Sequence, residues 1–553
     1  MKEKLTPETV YREFSGAVEF NEGIHLYDCV RNNENFFIGK QWEGVQSNGL
    51  PTPVFNFLKR VVLFSVASVS TDNLKLHASP IPSSGVRTKL ELDLICGVLN
   101  NQFQSIFEMN KMPSLIREFS RNAAVDGDGC TYTYWDESIQ TGQDAKGGIR
   151  TEVLDNTQVH FGNPNSRDLQ SQPWILLSRR MLLGEAKRRA KTYGGESDKI
   201  RPDCKETGES GNLDELGGSK VTVLLRLWRD LESGTIHAYE CTQTALIRKE
   251  WDLGVDLYPV TWMSWDYVKD CYHGQAMITG LIPNQIFVNK LFAMSMISLM
   301  TTAYPKVIYD STRIKKWDSR VGAAIGMAGG DVASAAKIMD PATISPQISQ
   351  FIELAIQYTQ KFLGASDVAL GDTRPDNTSA IIALQRASAV PMELTKQDLL
   401  QSIEDLGRIY LSFMKTHYGR RWVEVKHPAT EETDLVTFDF SQLAGIPVSI
   451  NLDVGASSYW SEIATMQTMD NLLMQNKIGI IEYLERVPAG MITDKERLID
   501  ALRRQQSALG AAMPAAGTPQ GVAAPTIPAD IPVGQGNGAL QHEINRTGEV
   551  PGL

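Results

Sequence analysis

The sequence has no surplus of positive charge. Its 54 Lys and Arg stand against 65 Asp and Glu, a formal net charge of −11 over 553 residues. A chain that grips nucleic acid through its phosphates is usually basic. Any DNA partner is therefore one that must not stick. The six cysteines are scattered and form no Cys-x-x-Cys pair, which suits a reducing compartment rather than a disulfide framework. Metal and phosphate motifs are also missing. None of the eight histidines sits in HExxH, and Cys271 and His273 have no second ligand pair at zinc spacing. Gly39-Lys40 lacks the upstream glycine and the following Ser/Thr of a phosphate loop, and the Gly-rich stretch 322–330 holds no GxGxxG. Asp126, Asp128 and Glu137 fall at positions one, three and twelve of a calcium loop, but Thr131 stands where the sharp turn demands glycine. No Ser lies in a GxSxG elbow. No catalytic constellation and no cofactor is expected. Long apolar runs are absent too. The run 54–69 is interrupted by Lys59 and Arg60, and 291–300 is short and preceded by Asn289 and Lys290, whereas a membrane span needs about 20 residues. The charged opening MKEKLTPETVYREF has no apolar stretch, so no signal peptide is expected.

What is present is an ordinary core-forming composition, 42% hydrophobic, at a length that suits two to four domains. Thr6-Pro7-Glu8 reads as a helix start, and one helix is expected from there towards Phe37, ending at Gly39. Helices are also expected over 54–68, 88–110 and 113–122. Alternation then sets in at "CTYTYW" (130–135), with further strand signals at 151–153, 159–161, 174–177, 221–228, 235–241, 246–251 and 258–265. The region 126–265 is thus a β-rich lobe within a mostly helical α+β chain. A basic helix is expected over 178–193, read as a solvated face with nucleic-acid contact as the alternative. The helix expected over 283–302 is apolar most of the way round, so it belongs in a core or between subunits. A short α/β piece (305–346), a helix (346–363), a Gly- and Asp-rich loop (364–379), a long helix kinked at Pro391, a β-rich piece (422–452) and helices over 461–506 follow. From 509 onward the chain is rich in Ala, Pro and Gly and reads as a disordered tail.

Two surfaces stand out. Phe36, Phe37 and Trp42 bracket the helix end at Gly39 in "ENFFIGKQWEG" and read as a buried corner. Lys306, Arg313, Lys315, Lys316 and Arg320 form a basic patch directly after the apolar helix, offset by Asp310 and Asp318. Such a patch in an acidic chain suits docking or DNA contact.

The order of these parts resembles the portal proteins (head-to-tail connectors) of tailed bacteriophages. The resemblance is carried by "NENFFIGKQWEG" with "PVFNFLKRVV", by "AAVDGDGCTYTYWD", by "YPVTWMSWD" with "YHGQAMITGLIPNQIFVNK", by "FLGASDVALGDTRPDNTSAIIALQ" and by "LDVGASSYWSEIATMQTMD", over roughly residues 16–506. It implies a portal fold with wing (1–267), first stem helix (268–302), clip (303–345), second stem helix (346–363), tunnel loop (364–379), a return to the wing (380–452) and a crown (453–508). It implies a ring, of twelve subunits in the family, at one capsid vertex of the virion, assembled in the host cytoplasm. Double-stranded DNA would enter through it during packaging and leave during ejection. The terminase large subunit, the head-completion adaptor, the major capsid protein and a scaffold protein would be partners, and a membrane would not. Asp367, Asp372, Arg374, Asp376 and Asn377 would line the tunnel loop. The basic patch would be the clip's docking surface. Phe287, Leu291, Met294, Ser295 and Ser298 would pack stem against stem, and Phe36, Phe37 and Trp42 would anchor the wing. Two other readings remain: a packaging enzyme (motor ATPase or nuclease) and a membrane-associated scaffold.

Overall fold

Thr6 opens the first helix as its type suggests. Its hydroxyl accepts the Thr9 N–H at 3.3 Å, with Pro7 in the first turn. The single helix expected up to Phe37 is two, α1 (Pro7–Gly23) and α2 (Leu26–Ile38). They part at His25, whose φ of 58° leaves the right-handed helical path. Gly39 closes α2 at a φ of 96°, which a glycine adopts without strain.

The computed structural model describes residues 5–70 except 48 and 50, 74–81, 89–203 except 144, 220–303, 306–338 except 319, 321 and 322, 347–362 and 390–454 except 427–432, 444, 445 and 447, together with parts of 466–504. The expected tunnel loop, with Asp367, Asp372, Arg374, Asp376 and Asn377, and the expected tail from 509 lie outside the described residues. The chain divides into two units, Met1–Glu462 and Ile463–Leu553.

In the first unit α2 is followed by α3 (Phe57–Ser70), β1 (Leu74–Pro80), α4 (Lys89–Met109) and α5 (Met112–Asp126). The lobe then runs β2 (Asp128–Asp136), β3 (Gly148–Leu154), β4 (Val159–Phe161), β5 (Ile175–Leu182), α6 (Leu183–Thr192), β6 (Lys220–Arg229), β7 (Ile236–Cys241), β8 (Leu246–Asp252) and β9 (Val260–Ser264). Two antiparallel sheets result, ordered β3-β2-β9 and β4-β5-β6-β7-β8. The strands alternate as their pleat requires. In β6, Leu225 and Leu227 join the main core, while Leu224 turns the other way, to Val10 of α1 and Leu176 of β5. Val221 and Val223 pack with Ala186 and Ala190 of α6. The basic helix expected over 178–193 is strand over 178–182 and helix from Leu183 to Thr192. Arg179 and Arg180 lie on β5 opposite Val223 and Thr222 and pair with Glu152 and Asp203. The ladder and these ion pairs override the helix propensity of the run.

The long helix starts earlier than its proline suggests. α7 spans Met277–Ala303, 27 residues, with Pro283 inside it, a rod of about 40 Å. Its first turns bury Ile278, Leu281 and Ile282 in the main core, and that burial holds a helix a proline would otherwise interrupt. β10 (Val307–Tyr309) and β11 (Ala336–Ile338), with α8 (Val332–Ala335) just before β11, form a small antiparallel hairpin. α9 (Gln347–Phe362) returns along α7.

α10 (Glu393–His417) crosses the core with Leu399, Ile403, Leu406, Tyr410 and Phe413 buried along one stripe. Pro391, expected as a kink within the helix, lies in the 3-10 turn Val390–Met392 before it, where its missing N–H has no helical bond to lose. β12 (Arg420–Lys426) and β13 (Thr433–Asp439) form a hairpin, and β14 (Val448–Val454) pairs with β1, a strand absent from the sequence expectations. α10 lies so close to this pair that a Cβ on Gly407 would fall 2.9 Å from a methyl of Leu76 and 3.0 Å from one of Ile450. In the second unit α11 (Ile480–Arg486) places the Tyr483 hydroxyl 2.6 Å from Asp470 Oδ1, to which it donates.

Candidate assembly site along the long helix

Four polar side chains from the sequence segments singled out above meet at the root of α7. Gln285 is fully buried, and its Nε2 donates to the Phe55 carbonyl (2.6 Å) and to Asn289 Oδ1 (3.0 Å). Its Oε1 accepts the Leu58 N–H at 3.3 Å, one of the first-turn donors of α3 that the helix itself cannot satisfy. Asn289 Nδ2 donates to Gln41 Oε1 (2.6 Å), and Gln41 Nε2 to the Phe36 carbonyl (3.2 Å). Asn56 accepts the Lys59 N–H (3.1 Å) and donates to the Phe37 carbonyl (3.0 Å), capping α3 and holding the end of α2. Buried amides of this kind are stable only when fully partnered, so the network sets the position of α7 against α2 and α3. One turn earlier, Asn33 Nδ2 donates to Thr279 Oγ1 (2.9 Å) and to the Val125 carbonyl (2.9 Å).

Phe36 and Phe37 are buried, as the corner reading expects. Trp42 is half-buried, with its Nε1–H on the Pro53 carbonyl at 2.9 Å. The deeper residue of the corner is Gln41. Its signal was its place in the Gly-x-Gln-Trp motif, but its partner, Asn289, lies 248 residues away in the chain.

A second buried knot fixes the segment leading into α7. Asp128 accepts from Ser264 Oγ (2.8 Å), the Gly274 N–H (2.8 Å), His273 Nδ1 (2.8 Å) and Asn156 Nδ2 (3.3 Å). A Cβ on Gly274 would fall 2.5 Å from that of Ser264, so the close approach demands glycine. Nearby, burial first and the charge of His273 second push the His160 imidazole down to about 3, and it stays neutral. Burial pushes the Asp126 carboxyl up to about 7, against the pull of Arg121 and helped by Glu34 and Asp155.

From this root onward α7 is bare and apolar on opposite sides: at about 100° per residue, Phe287 and Met294 point one way and Met296, Leu299 and Met300 the other. Phe287, Met294, Met296, Leu299 and Met300 are exposed, Leu299 at 66%, and so are Phe351, Leu354 and Tyr358 of α9. Of the residues expected to pack stem against stem, Phe287 and Met294 lie on this surface. Leu291 is 8% exposed and packs within the chain against Val288 and Ile352. Ser295 Oγ donates to the Leu291 carbonyl at 2.9 Å, and the Ser298 carbonyl accepts from Thr301 and Thr302. A surface of several large exposed side chains is more than scattered apolar exposure and marks an interface.

The hairpin beyond α7 sorts the basic patch. Arg313 pairs with Asp310 (3.4 Å) and bonds Ser334, and Arg320 pairs with Asp318 (2.6 Å). Hydrogen bonds from Thr312 and from Arg320 hold the two carboxyls below the usual range. Lys306, Lys315 and Lys316 are exposed and have no ion pair among the described residues, beside exposed Ile308, Val332 and Ile338. Among the described residues no cluster of three His, Cys, Asp or Glu is placed to hold a metal.

No curated protein matches the chain. Residues 184–446, which run from α6 through the long helix, the hairpin and α10 to the end of the β12–β13 region, match the family model of the phage P22-like portal protein, and this match supports a tailed-phage portal protein, a structural component of the virion and not an enzyme family.

Proposed function

We propose that the chain is the subunit of a portal ring, of twelve copies, at one capsid vertex. Double-stranded DNA passes through its centre in packaging and ejection. The observation that carries this reading is the bare apolar surface on both sides of α7, and on α9, beyond a root locked by buried amides. Such a surface is stable in water only when covered, and in a ring each subunit's long helix is flanked by its neighbours. The hairpin's lysines, four of which (Lys306, Lys315, Lys316 and Lys337) have no ion pair among the described residues, suit an acidic docking partner: the terminase large subunit during packaging, then the head-completion adaptor. The major capsid protein, with a scaffold protein during assembly in the host cytoplasm, surrounds the wing. The net charge of −11 suits a channel through which phosphates slide without counterion-release affinity. The tunnel-loop roles of Asp367, Asp372, Arg374, Asp376 and Asn377 belong to the same proposal.

Negative-stain microscopy of the purified chain tests it. Closed rings with a central hole are expected. Monomers that stay dispersed at high concentration, with scaffold protein added, would overturn it. A second reading has its own observation: α7 is, by length and composition, long and apolar enough to cross a membrane. Flotation with liposomes decides between them, since a ring component stays at the bottom of the gradient. Turnover of ATP or cleavage of DNA by the purified chain would instead favour a packaging enzyme.

A further inference from the structure

Between the two sheets of the lobe, beside α6 and the last turn of α10, lies an open cavity of about 490 Å³ that the portal reading does not use. Its size is in the range of specific binding pockets, about 300–1,000 Å³. Val223, Leu225 and Phe413 give it an apolar floor. Three arginines reach it, and two are already committed: Arg179 to Glu152, and Arg189 to the buried Glu240 at 2.9 Å. Arg248 is different. Its guanidinium lies 4.3 Å from the Tyr193 ring centre and 3.9 Å from that of Trp251, and it has no ion pair among the described residues. Two aromatic rings hold the guanidinium at cation–π distance, and its N–H fork has no ion-pair partner among the described residues, which suits it to bind an anion. Elsewhere on the wall, Glu137 is exposed and also without an ion pair among the described residues, next to Asp136, whose closest cation is Arg150 at 3.9 Å.

We propose that this cleft is a peptide-binding site. It takes an extended segment of a partner polypeptide that places an Asp or Glu carboxylate in the fork of Arg248, an apolar side chain on the floor, and a Lys or Arg at Glu137. A nucleic acid strand fits it poorly, because Asp136, Glu137, Glu240 and Asp252 line the same cavity and would repel a run of phosphates. A peptide with one acid and one base matches both ends.

The test uses the full-length protein on an array of immobilised synthetic peptides that carry an acidic residue, an apolar residue and a basic residue in series. Each is paired with one copy in which Asp or Glu is replaced by its amide and another in which the Lys or Arg is replaced by Gln. The acidic peptides are expected to bind about tenfold or more tightly than their amide copies, the scale of a charge-assisted bidentate contact. Arg248→Gln should abolish that difference. Glu137→Lys, at an exposed position that carries no core packing, should weaken only peptides with the basic residue. Equal binding of acid and amide peptides, or an unchanged preference in Arg248→Gln, would overturn the proposal. Displacement of bound peptide by a short oligothymidylate at equal concentration would also overturn it and assign the cleft to nucleic acid.

Discussion

Gln285→Leu removes the centre of the amide network while keeping roughly its volume. Three groups lose a partner: the Phe55 carbonyl, the Leu58 N–H and Asn289 Oδ1. Asn289 Oδ1 keeps its contact with the Phe55 N–H (3.4 Å) and the Phe55 carbonyl keeps the Phe57 N–H (2.8 Å), so one buried group, the Leu58 N–H, is orphaned. At about 1–3 kcal/mol for that group, less about 1 kcal/mol for the added apolar burial, the loss is about 1 kcal/mol. A whole-chain melting temperature would not report it cleanly, because the chain has two units and need not unfold in one step. Native-state hydrogen exchange does. Peptides covering 54–62 should lose about fivefold in protection, the equivalent of about 1 kcal/mol. Peptides in the β4–β8 sheet should be unaffected. Phe287→Ala, two residues along on an exposed side, serves as the control and should leave 54–62 unchanged. Unaltered protection in Gln285→Leu would refute the reasoning and reduce the network to incidental contacts.

The other expected outcomes are smaller in scope. Trp42→Ala should destabilise the wing by about 1.5–3 kcal/mol, below the figure for a fully buried ring, because it is half-buried and keeps one hydrogen bond; urea unfolding followed by wing exchange reads it. Leu299→Lys should block ring closure seen by microscopy while leaving the monomer's circular dichroism intact. Lys315→Glu with Lys316→Glu should abolish motor or adaptor binding in pull-down and spare the ring; failure of rings to form would place these lysines in the subunit interface. Asp126→Asn should stabilise the fold at neutral pH and steepen its loss of stability on acidification. His160, lowered in the fold, contributes stability present above its unfolded value near 6.5 and lost towards its folded value of about 3, whereas Asp126, raised to about 7, contributes in the opposite sense over about pH 4–7. The two offset each other, so removing Asp126 should steepen the fall in stability on acidification by up to about 1.4 kcal/mol per pH unit, measured by denaturant titration between pH 7 and 4.

The lobe was the most legible part. Period-two patterns such as Cys130–Tyr132–Tyr134 are local, and β2, β4, β6, β7 and β8 stand within a few residues of where that pattern puts them. What stayed hidden was set by distant partners. Arg179 and Arg180 look helical until Glu152, Asp203 and the β6 ladder are in place. β1 has no strong alternation and exists through its pairing with β14, more than 360 residues later. Pro283 reads as a helix start, yet tertiary burial of Ile278 and Leu281 extends the helix before it. At the candidate site, the exposed lysines and the apolar rod were readable from composition. The separation of Leu291 from Met294, and of the paired arginines from the unpaired lysines, needed coordinates.

Pro283 interrupts the hydrogen-bond ladder of α7 at its weakest point, and it sits between two latches. Asn33 grips Thr279 on one side, and Gln41 reaches Asn289 on the other. A proline in a rod is a natural pivot, and here both arms of the pivot are pinned to the same body by neutral side-chain amides, which neither salt nor ordinary pH weakens. The joint is therefore stiff by default, and a torque applied at the far hairpin would be delivered to α2 and the corner that follows it. Freeing one latch would turn the rod into a crank.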